Sequence, residues 1–189
     1  MKSSETANFF ENIDLSNFVS SESHIIQKYL LSSNSRIDSS LDFTSQLSIE
    51  AEKNSKKLIR ILKQDEFIPG ELNKTQLFLE NILLKDKSLF REVFQKTWLS
   101  IFPEKDPIHI INFISMASYF EYEVLEDRAD VLVISGCAHI DIRVNEAAII
   151  AIESWEQKKH IEFLKSIKPS GVDWLETYKS NVINILESM

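Results

Sequence analysis

The segment that most constrains the fold is residues 139–155, HIDIRVNEAAIIAIESW. Asp141 can cap a helix, because its carboxylate can accept hydrogen bonds from the free backbone amides of the first turn. After it, apolar residues recur at spacings of three and four, and they form one face: Val144, Ala147, Ala148, Ala151, Ile152 and Trp155. The adjacent alanines on this face let a neighbouring helix approach closely. The segment therefore predicts an amphipathic helix that packs tightly on others.

A second apolar set follows at Ile161, Leu164 and Ile167, and it predicts a short helix over 157–167. The order of residues across the two helices resembles a HEAT-like repeat, and the matching positions are Asp141, Val144, Ala147, Ala148 and Ile152. Ile142 stands where the family usually has Pro, and Asn145 stands where it often has Arg. The resemblance implies an α-solenoid built from stacked antiparallel helix pairs.

Four candidate helix caps recur at similar intervals along the chain. Asn73, Asp106, Asp141 and Asp173 are 33, 35 and 32 residues apart. Pro107 strengthens the second start, because proline is tolerated at the first helical position. Each of the first three caps predicts a helix pair, and the fourth predicts a single closing helix. We therefore expect residues 46–189 to form an all-α, short α-solenoid of stacked helix pairs.

Further helices are predicted between these caps. We predict an amphipathic helix with a basic face over residues 45–64, and a break in helical structure at Pro69-Gly70. Asn73 begins a helix whose apolar residues are Leu77, Phe78, Ile82 and Leu83. Asp86 begins the helix with the most regular stripe: Leu89, Phe90, Val93, Phe94, Trp98 and Ile101. A continuous helix is predicted over 124–138, although the β-branched run 130–136 leaves a buried strand as the alternative.

The first 45 residues are rich in serine and only weakly periodic, so we predict an irregular helical segment there, with short helices over 5–12 and 22–31 and a loop over 32–40. With 189 residues, the chain fits a single domain, 1–189. Its single cysteine, Cys137, excludes an intrachain disulfide. We see neither a signal peptide nor a membrane-spanning segment, and we expect a cytoplasmic protein.

Few residue combinations in the sequence indicate catalysis. The four histidines have no zinc-site spacing, and three glycines are too few for a phosphate-binding loop. Cys137, His139 and Asp141 lie close together, but residues two apart on a helix point in different directions. We read them as a buried thiol, a loop histidine and a cap. The expectation is a protein that is not an enzyme and that has no cofactor and no metal.

The charge is concentrated in one part of the chain. The net charge is −8, and residues 121–156 alone contain nine acidic and two basic residues. This distribution disfavours nucleic acid as a partner and favours a basic protein. The acidic run EYEVLEDRAD, with aromatic residues beside it, is the candidate partner-binding site: Tyr119, Glu121, Tyr122, Glu123, Glu126, Asp127 and Asp130. The alternative interpretation of the run is a solvated surface that only keeps the protein soluble.

Two functions are consistent with these features. The first is an immunity or antitoxin protein that occludes the active site of a basic toxin, such as a nuclease, with its acidic face. The second is a HEAT-like adaptor or scaffold in a larger complex. Neither involves a membrane or a small-molecule cofactor, and the sequence leaves the oligomeric state open.

Overall fold

A computed structural model describes residues 44–65, 68 and 71–189. Every regular element in these ranges is an α-helix, which confirms the predicted all-α class. The chain divides into two units between Gln46 and Leu47, and the description below concerns the second unit. The helices predicted over 5–12 and 22–31, the loop over 32–40 and the break at Pro69-Gly70 lie outside the described residues.

The helices are numbered in chain order. Their bounds are 44–62 (α1), Lys74–Leu83 (α2), Lys87–Ile101 (α3), Ile108–Ala117 (α4), Tyr122–Leu125 (α5), Asp127–Cys137 (α6), Ile142–Trp155 (α7), His160–Ser166 (α8) and Asp173–Ser188 (α9). None of the helices in the described part of the chain is long and apolar enough to cross a membrane.

Three of the predicted cap residues lie directly before the observed helices. Asn73 Oδ1 accepts a hydrogen bond from the Gln76 amide at 2.7 Å, and Asp86 Oδ1 accepts one from the Ser88 amide at 2.7 Å. Asp141 Oδ1 accepts from the Arg143 amide at 2.9 Å. These carboxylate and amide oxygens satisfy amides that have no partner within the helix, so each side chain fixes a helix boundary. Asp106 Oδ1 also accepts a hydrogen bond from the Ile108 amide, at 3.0 Å, but the cap residue of α4 is Pro107. Asp106 therefore lies one position before the predicted cap, and Pro107 is not the first helical residue.

The fourth cap was predicted wrongly. Asp173 is the first residue of α9, and Val172 is the cap residue, without a side-chain hydrogen bond to the helix. Instead, the Glu176 carboxylate reaches back to the amide and hydroxyl of Ser170, at 2.7 and 2.8 Å. The aspartate lies in the first turn, where a negative charge is favourable beside the helix dipole. The composition of the turn is therefore as expected, but the capping geometry is different.

Consecutive helix pairs stack on one another. The helix α7 packs against α4, α6 and α9, and α3 packs against α2, α4 and α6. The first helices of two successive pairs, α4 and α7, are thus in contact, and so are the second helices, α3 and α6. Such contact between like helices of neighbouring pairs is how a stack buries its apolar faces. The site described below lies at the ends of these helices.

The predicted apolar faces of α3 and α7 are buried. The whole α3 stripe lies in the core, as do all six residues of the α7 face. At α2 the prediction is partly wrong, because Leu77 is exposed and Leu79 is buried instead. The predicted basic face of α1 is exposed to solvent: Lys53, Lys56, Lys57, Arg60 and Lys63.

The helix predicted over 124–138 is interrupted at Glu126. This residue has φ 51° and ψ −118°, outside the helical region, and it separates α5 from α6. Side chains of α3 account for the break. Lys87 Nζ donates to the Glu123 carbonyl at 2.8 Å, and Arg91 donates to the Val124 carbonyl at 3.3 Å, so these carbonyls bond to α3 rather than to a continuing helix. The run 130–136 is helical within α6, as preferred over the strand.

Candidate functional site

The acidic run begins where α4 ends and continues through α5 into α6. Phe120 is buried before the run, and its carbonyl accepts a hydrogen bond from Trp155 Nε1 at 2.9 Å. The indole of Trp155 is itself almost fully buried, and Tyr122 packs edge-on against it. The turn is therefore attached to the end of α7, the helix that most constrains the fold.

Glu126 and Asp127 are neutralised within the chain. Arg91 Nη1 lies 3.0 Å from Glu126 Oε2, and Arg91 also forms a short ion pair with Asp127. Lys87 approaches Glu126, and Arg128 bridges Asp127 and Glu92. These carboxylates join α3 to the break between α5 and α6. Their ion pairs give them a structural role, and a partner would have to compete with existing cations for them.

Asp130 is the centre of a second internal network. Its carboxylate accepts hydrogen bonds from Lys159 Nζ at 2.7 Å, His160 Nε2 at 2.9 Å and Tyr122 Oη at 3.1 Å. Burial alone would raise the pKa of Asp130, but these three donors outweigh it and lower the pKa below the ordinary value of 3.8. Lys159 Nζ also lies over the Tyr122 ring, 4.6 Å from its centre. The network connects α5, α6 and α8.

Three acidic side chains near this turn differ from Glu126, Asp127 and Asp130 in their ion pairing. Glu121, Glu123 and Glu156 are exposed, and their carboxylates form no ion pair within the described part of the chain. All three line one groove of about 240 Å³, with Tyr119 at its edge, half exposed, and Trp155 in its floor. We call this the acidic groove; it is formed by residues 118–123 and 154–157. A cationic side chain entering it would meet carboxylates that have no counter-ion among the described residues.

The structure thus separates the seven predicted site residues into two sets. Tyr119, Glu121, Tyr122 and Glu123 line the acidic groove, whereas Glu126, Asp127 and Asp130 take part in internal ion pairs. Sequence reasoning missed Glu156 as a site residue. The charge count over 121–156 included it, but only the packing of α7 against the turn brings it to the same groove.

Glu156 adopts an unusual backbone conformation. It follows the last residue of α7 and has φ 52° and ψ 34°, the left-handed helical region. Glycine and asparagine are the residues that favour this position after a helix. At Glu156 the chain reverses direction towards α8, and the Glu156 side chain remains exposed at the groove.

Cys137, His139 and Asp141, which lie close together in the sequence, each have a structural role. Burial raises the pKa of the Cys137 thiol to about 12, so the thiol stays protonated at neutral pH. His139 Nδ1 accepts a hydrogen bond from the Asp141 amide at 3.0 Å. Hydrogen bonds from Arg143 lower the pKa of Asp141 to about 2. The three groups therefore form a helix connection, and they are not arranged as a thiol nucleophile with its base.

Within the described ranges, no group of three or more His, Cys, Asp or Glu side chains is placed to hold a metal ion. Comparison with known proteins adds no relative. No family model matches the chain, and no match is found among curated proteins or solved structures.

Proposed function

We propose that this chain is an immunity or antitoxin protein that binds a basic toxin domain, of the nuclease class, and blocks its active site. The observation that carries the proposal is the contrast within the acidic run. Glu126, Asp127 and Asp130 are neutralised by cations of the same chain, whereas Glu121, Glu123 and Glu156 share a groove and form no ion pair with any residue that the structure describes. A cationic partner supplies the missing counter-charges.

The mechanism follows from the charges and from the rigidity of the groove. Carboxylates without counter-ions attract a basic surface over a distance and speed its association. In a nuclease, the bound carboxylates would occupy the positions of the substrate phosphates. Trp155 bonds to the Phe120 carbonyl and packs against the Tyr122 ring, so the backbone that carries Glu121 and Glu123 is attached to the end of α7. The half-exposed Tyr119 offers an aromatic contact at the edge.

The HEAT-like resemblance is part of the same proposal. Asn73 and Asp141 cap their helices as predicted, Asp106 bonds to the first amide of α4 from one position before the cap, and successive helix pairs stack. These observations support a repeat architecture of the kind that presents surfaces to other proteins. The acidic groove lies at the turns of this stack, where loops are free to contact a partner.

Charge reversal at the groove tests the proposal. The variant Glu121→Lys/Glu123→Lys/Glu156→Lys is compared with Glu50→Lys/Glu71→Lys/Glu162→Lys, which changes the net charge equally at exposed acids elsewhere. The tagged proteins are used in pull-downs from the producing cell at low and at high salt, with mass spectrometry. We expect the native and control proteins to capture a basic nuclease domain at low salt, and we expect the groove variant not to capture it.

Inhibition then decides between the two functions. The purified native protein should inhibit the captured nuclease, and the groove variant should lose inhibition while its circular dichroism spectrum is unchanged. Equal inhibition by the groove variant would refute the site. A partner that has no toxic activity and is retained at high salt would instead favour the adaptor or scaffold function.

A further inference from the structure

A second and larger groove lies at the opposite ends of the same helices, away from the acidic run. It has a volume of about 460 Å³ and is formed by the end of α6, the start of α7, the end of α8 and the start of α9. Cys137, Ile149 and Leu175 form a buried floor. Ile140 stands at the rim with 97% of its side chain exposed. We call this the isoleucine groove, after the five isoleucines in its lining.

The groove has the general properties of a small-molecule site. Ligand pockets are concave and mainly apolar, they have volumes of about 300–1,000 Å³, and a few polar groups orient the ligand. Here the apolar walls are Ile142, Phe163 and Ile167. No side chain of the described residues occupies the space between these walls. An apolar body of a small molecule would therefore gain contacts with several hydrophobic side chains at once.

The polar groups of the groove are mainly donors. Lys179 is largely buried, and its ammonium bonds to Glu176 at 2.6 Å, which leaves two further N–H groups without a described partner. Lys168 is exposed at the groove and has no ion-pair partner in the described ranges. His139 uses Nδ1 to accept the Asp141 amide, so in its neutral form Nε2 carries a proton that it can donate.

The charge of the groove contrasts with that of the chain. Its charged lining residues are Lys168, Lys179 and Glu176, which give a net charge of +1, whereas the whole chain carries −8. The ionised Glu176 carboxylate would repel a doubly charged head group, such as a phosphate monoester, about twice as strongly as a singly charged one. A singly charged anion matches both the net charge and the donors.

We propose that the isoleucine groove binds a small apolar carboxylate, such as a medium-chain fatty acid, with its alkyl chain on the isoleucine walls and its carboxylate facing Lys168, Lys179 and His139. This site is separate from the acidic groove and does not depend on the proposed immunity function.

Calorimetric titration of the full chain with decanoate tests the proposal. Decanol and decyltrimethylammonium, which carry the same alkyl chain with a neutral and a cationic head, serve as comparison ligands below their aggregation concentrations. We expect saturable binding of decanoate with one site and an affinity at least about tenfold higher than that of either comparison ligand. Equal affinities for the three head groups, or no binding of decanoate at millimolar concentration, would overturn the proposal.

Variants locate the site. Ala138→Trp places a large side chain at an exposed lining position and should abolish decanoate binding, whereas Ile150→Trp, exposed on α7 outside the groove, should not. Ile140→Asp, at the fully exposed rim, should weaken decanoate binding about tenfold without affecting the fold, and it decides the question if Ala138→Trp does not fold. Undiminished binding by a folded Ala138→Trp or by Ile140→Asp would contradict the assignment.

Discussion

Two residues determine how α6 and α7 meet. A Cβ atom built at Gly136 would lie 2.8 Å from Ala148 Cβ and 3.3 Å from Ile114 Cδ1, so only glycine fits without displacement of its neighbours. Nearby, Asn145 Nδ2 donates to the carbonyls of Gly136 and His139, both at 2.9 Å, and approaches that of Cys137 at 3.2 Å. The asparagine therefore caps the end of α6 from within α7.

Gly136→Ala tests the close contact. The added methyl group overpacks the interface, and we expect a loss of about 1–3 kcal/mol in the free energy of unfolding, less the roughly 1 kcal/mol that alanine gains over glycine in a helix. The measurement is urea denaturation followed by circular dichroism. The double variant Gly136→Ala/Ala148→Gly removes the opposing methyl and should recover part of the loss. A single variant that is about 1 kcal/mol more stable than the native protein would show that the interface accommodates the methyl group without a penalty.

Asn145→Ala tests the cap. It leaves the carbonyls at the end of α6 without their side-chain donor, and we expect a loss of about 1–3 kcal/mol in the free energy of unfolding. Asn145→Asp is nearly the same size but presents a carboxylate to those carbonyls, so it should be at least as destabilising. Both are measured by urea denaturation. An aspartate variant as stable as the native protein would show that the hydrogen bonds contribute little.

At the scale of helices, the network around Asp130 joins α5, α6 and α8. His160 is buried, its Nε2 bonds to Asp130, and its Nδ1 has no hydrogen-bond partner among the residues that the structure describes. Burial lowers the pKa of His160, and this effect outweighs the opposing influence of the Asp130 carboxylate. In the folded protein the ring is therefore neutral at neutral pH, and a second proton would have to occupy a buried position without an acceptor.

The network predicts a pH-dependent stability. The folded-state pKa of His160 lies below the ordinary value of 6.5, so the unfolded chain binds protons more readily as the pH falls below about 6.5. The free energy of unfolding should therefore decrease from pH 6.5 down to the folded-state pKa. Urea denaturation at a series of pH values measures this decrease. His160→Gln should remove most of it, whereas His139→Gln should not; an unchanged slope in His160→Gln would exclude this origin.

The elements that were predicted correctly are those determined by local residue patterns. The stripe of α3 and the Asp141 cap depend on residues a few positions apart, so the sequence alone indicates them. The break at Glu126 depends on Lys87 and Arg91, more than 30 residues away in the chain, and no local pattern announces it. The composition of the acidic groove was incomplete for the same reason, because Glu156 reaches it only through tertiary packing.

At the scale of the whole molecule, α9 covers an apolar face of the stack. The helix α9 packs against α7 and α8 and contributes Leu175, Val182 and Leu186 to the core. In stacked helical proteins, neighbouring elements bury each other's apolar faces in this way. Leu186 is fully buried in this contact.

Leu186→Ala tests how much the packing of α9 contributes to the stability of the stack. Removal of a buried leucine side chain is expected to lower the free energy of unfolding by about 2–5 kcal/mol, because transfer and cavity terms add. The exposed Ile185→Ala is the matched control and should change stability by less than about 1 kcal/mol. Thermal denaturation compares them. Equal effects of the two substitutions would show that the packing of α9 contributes little to the stability of the stack.

The left-handed backbone of Glu156 has a consequence for the balance between stability and binding. Glycine would adopt this conformation with less strain, yet the chain carries a carboxylate there, at the edge of the acidic groove. Glu156→Gly should therefore raise the melting temperature and lower the affinity for the proposed cationic partner. These opposite signs, measured by thermal denaturation and by partner binding, would mark Glu156 as a position where this protein gives up stability for recognition.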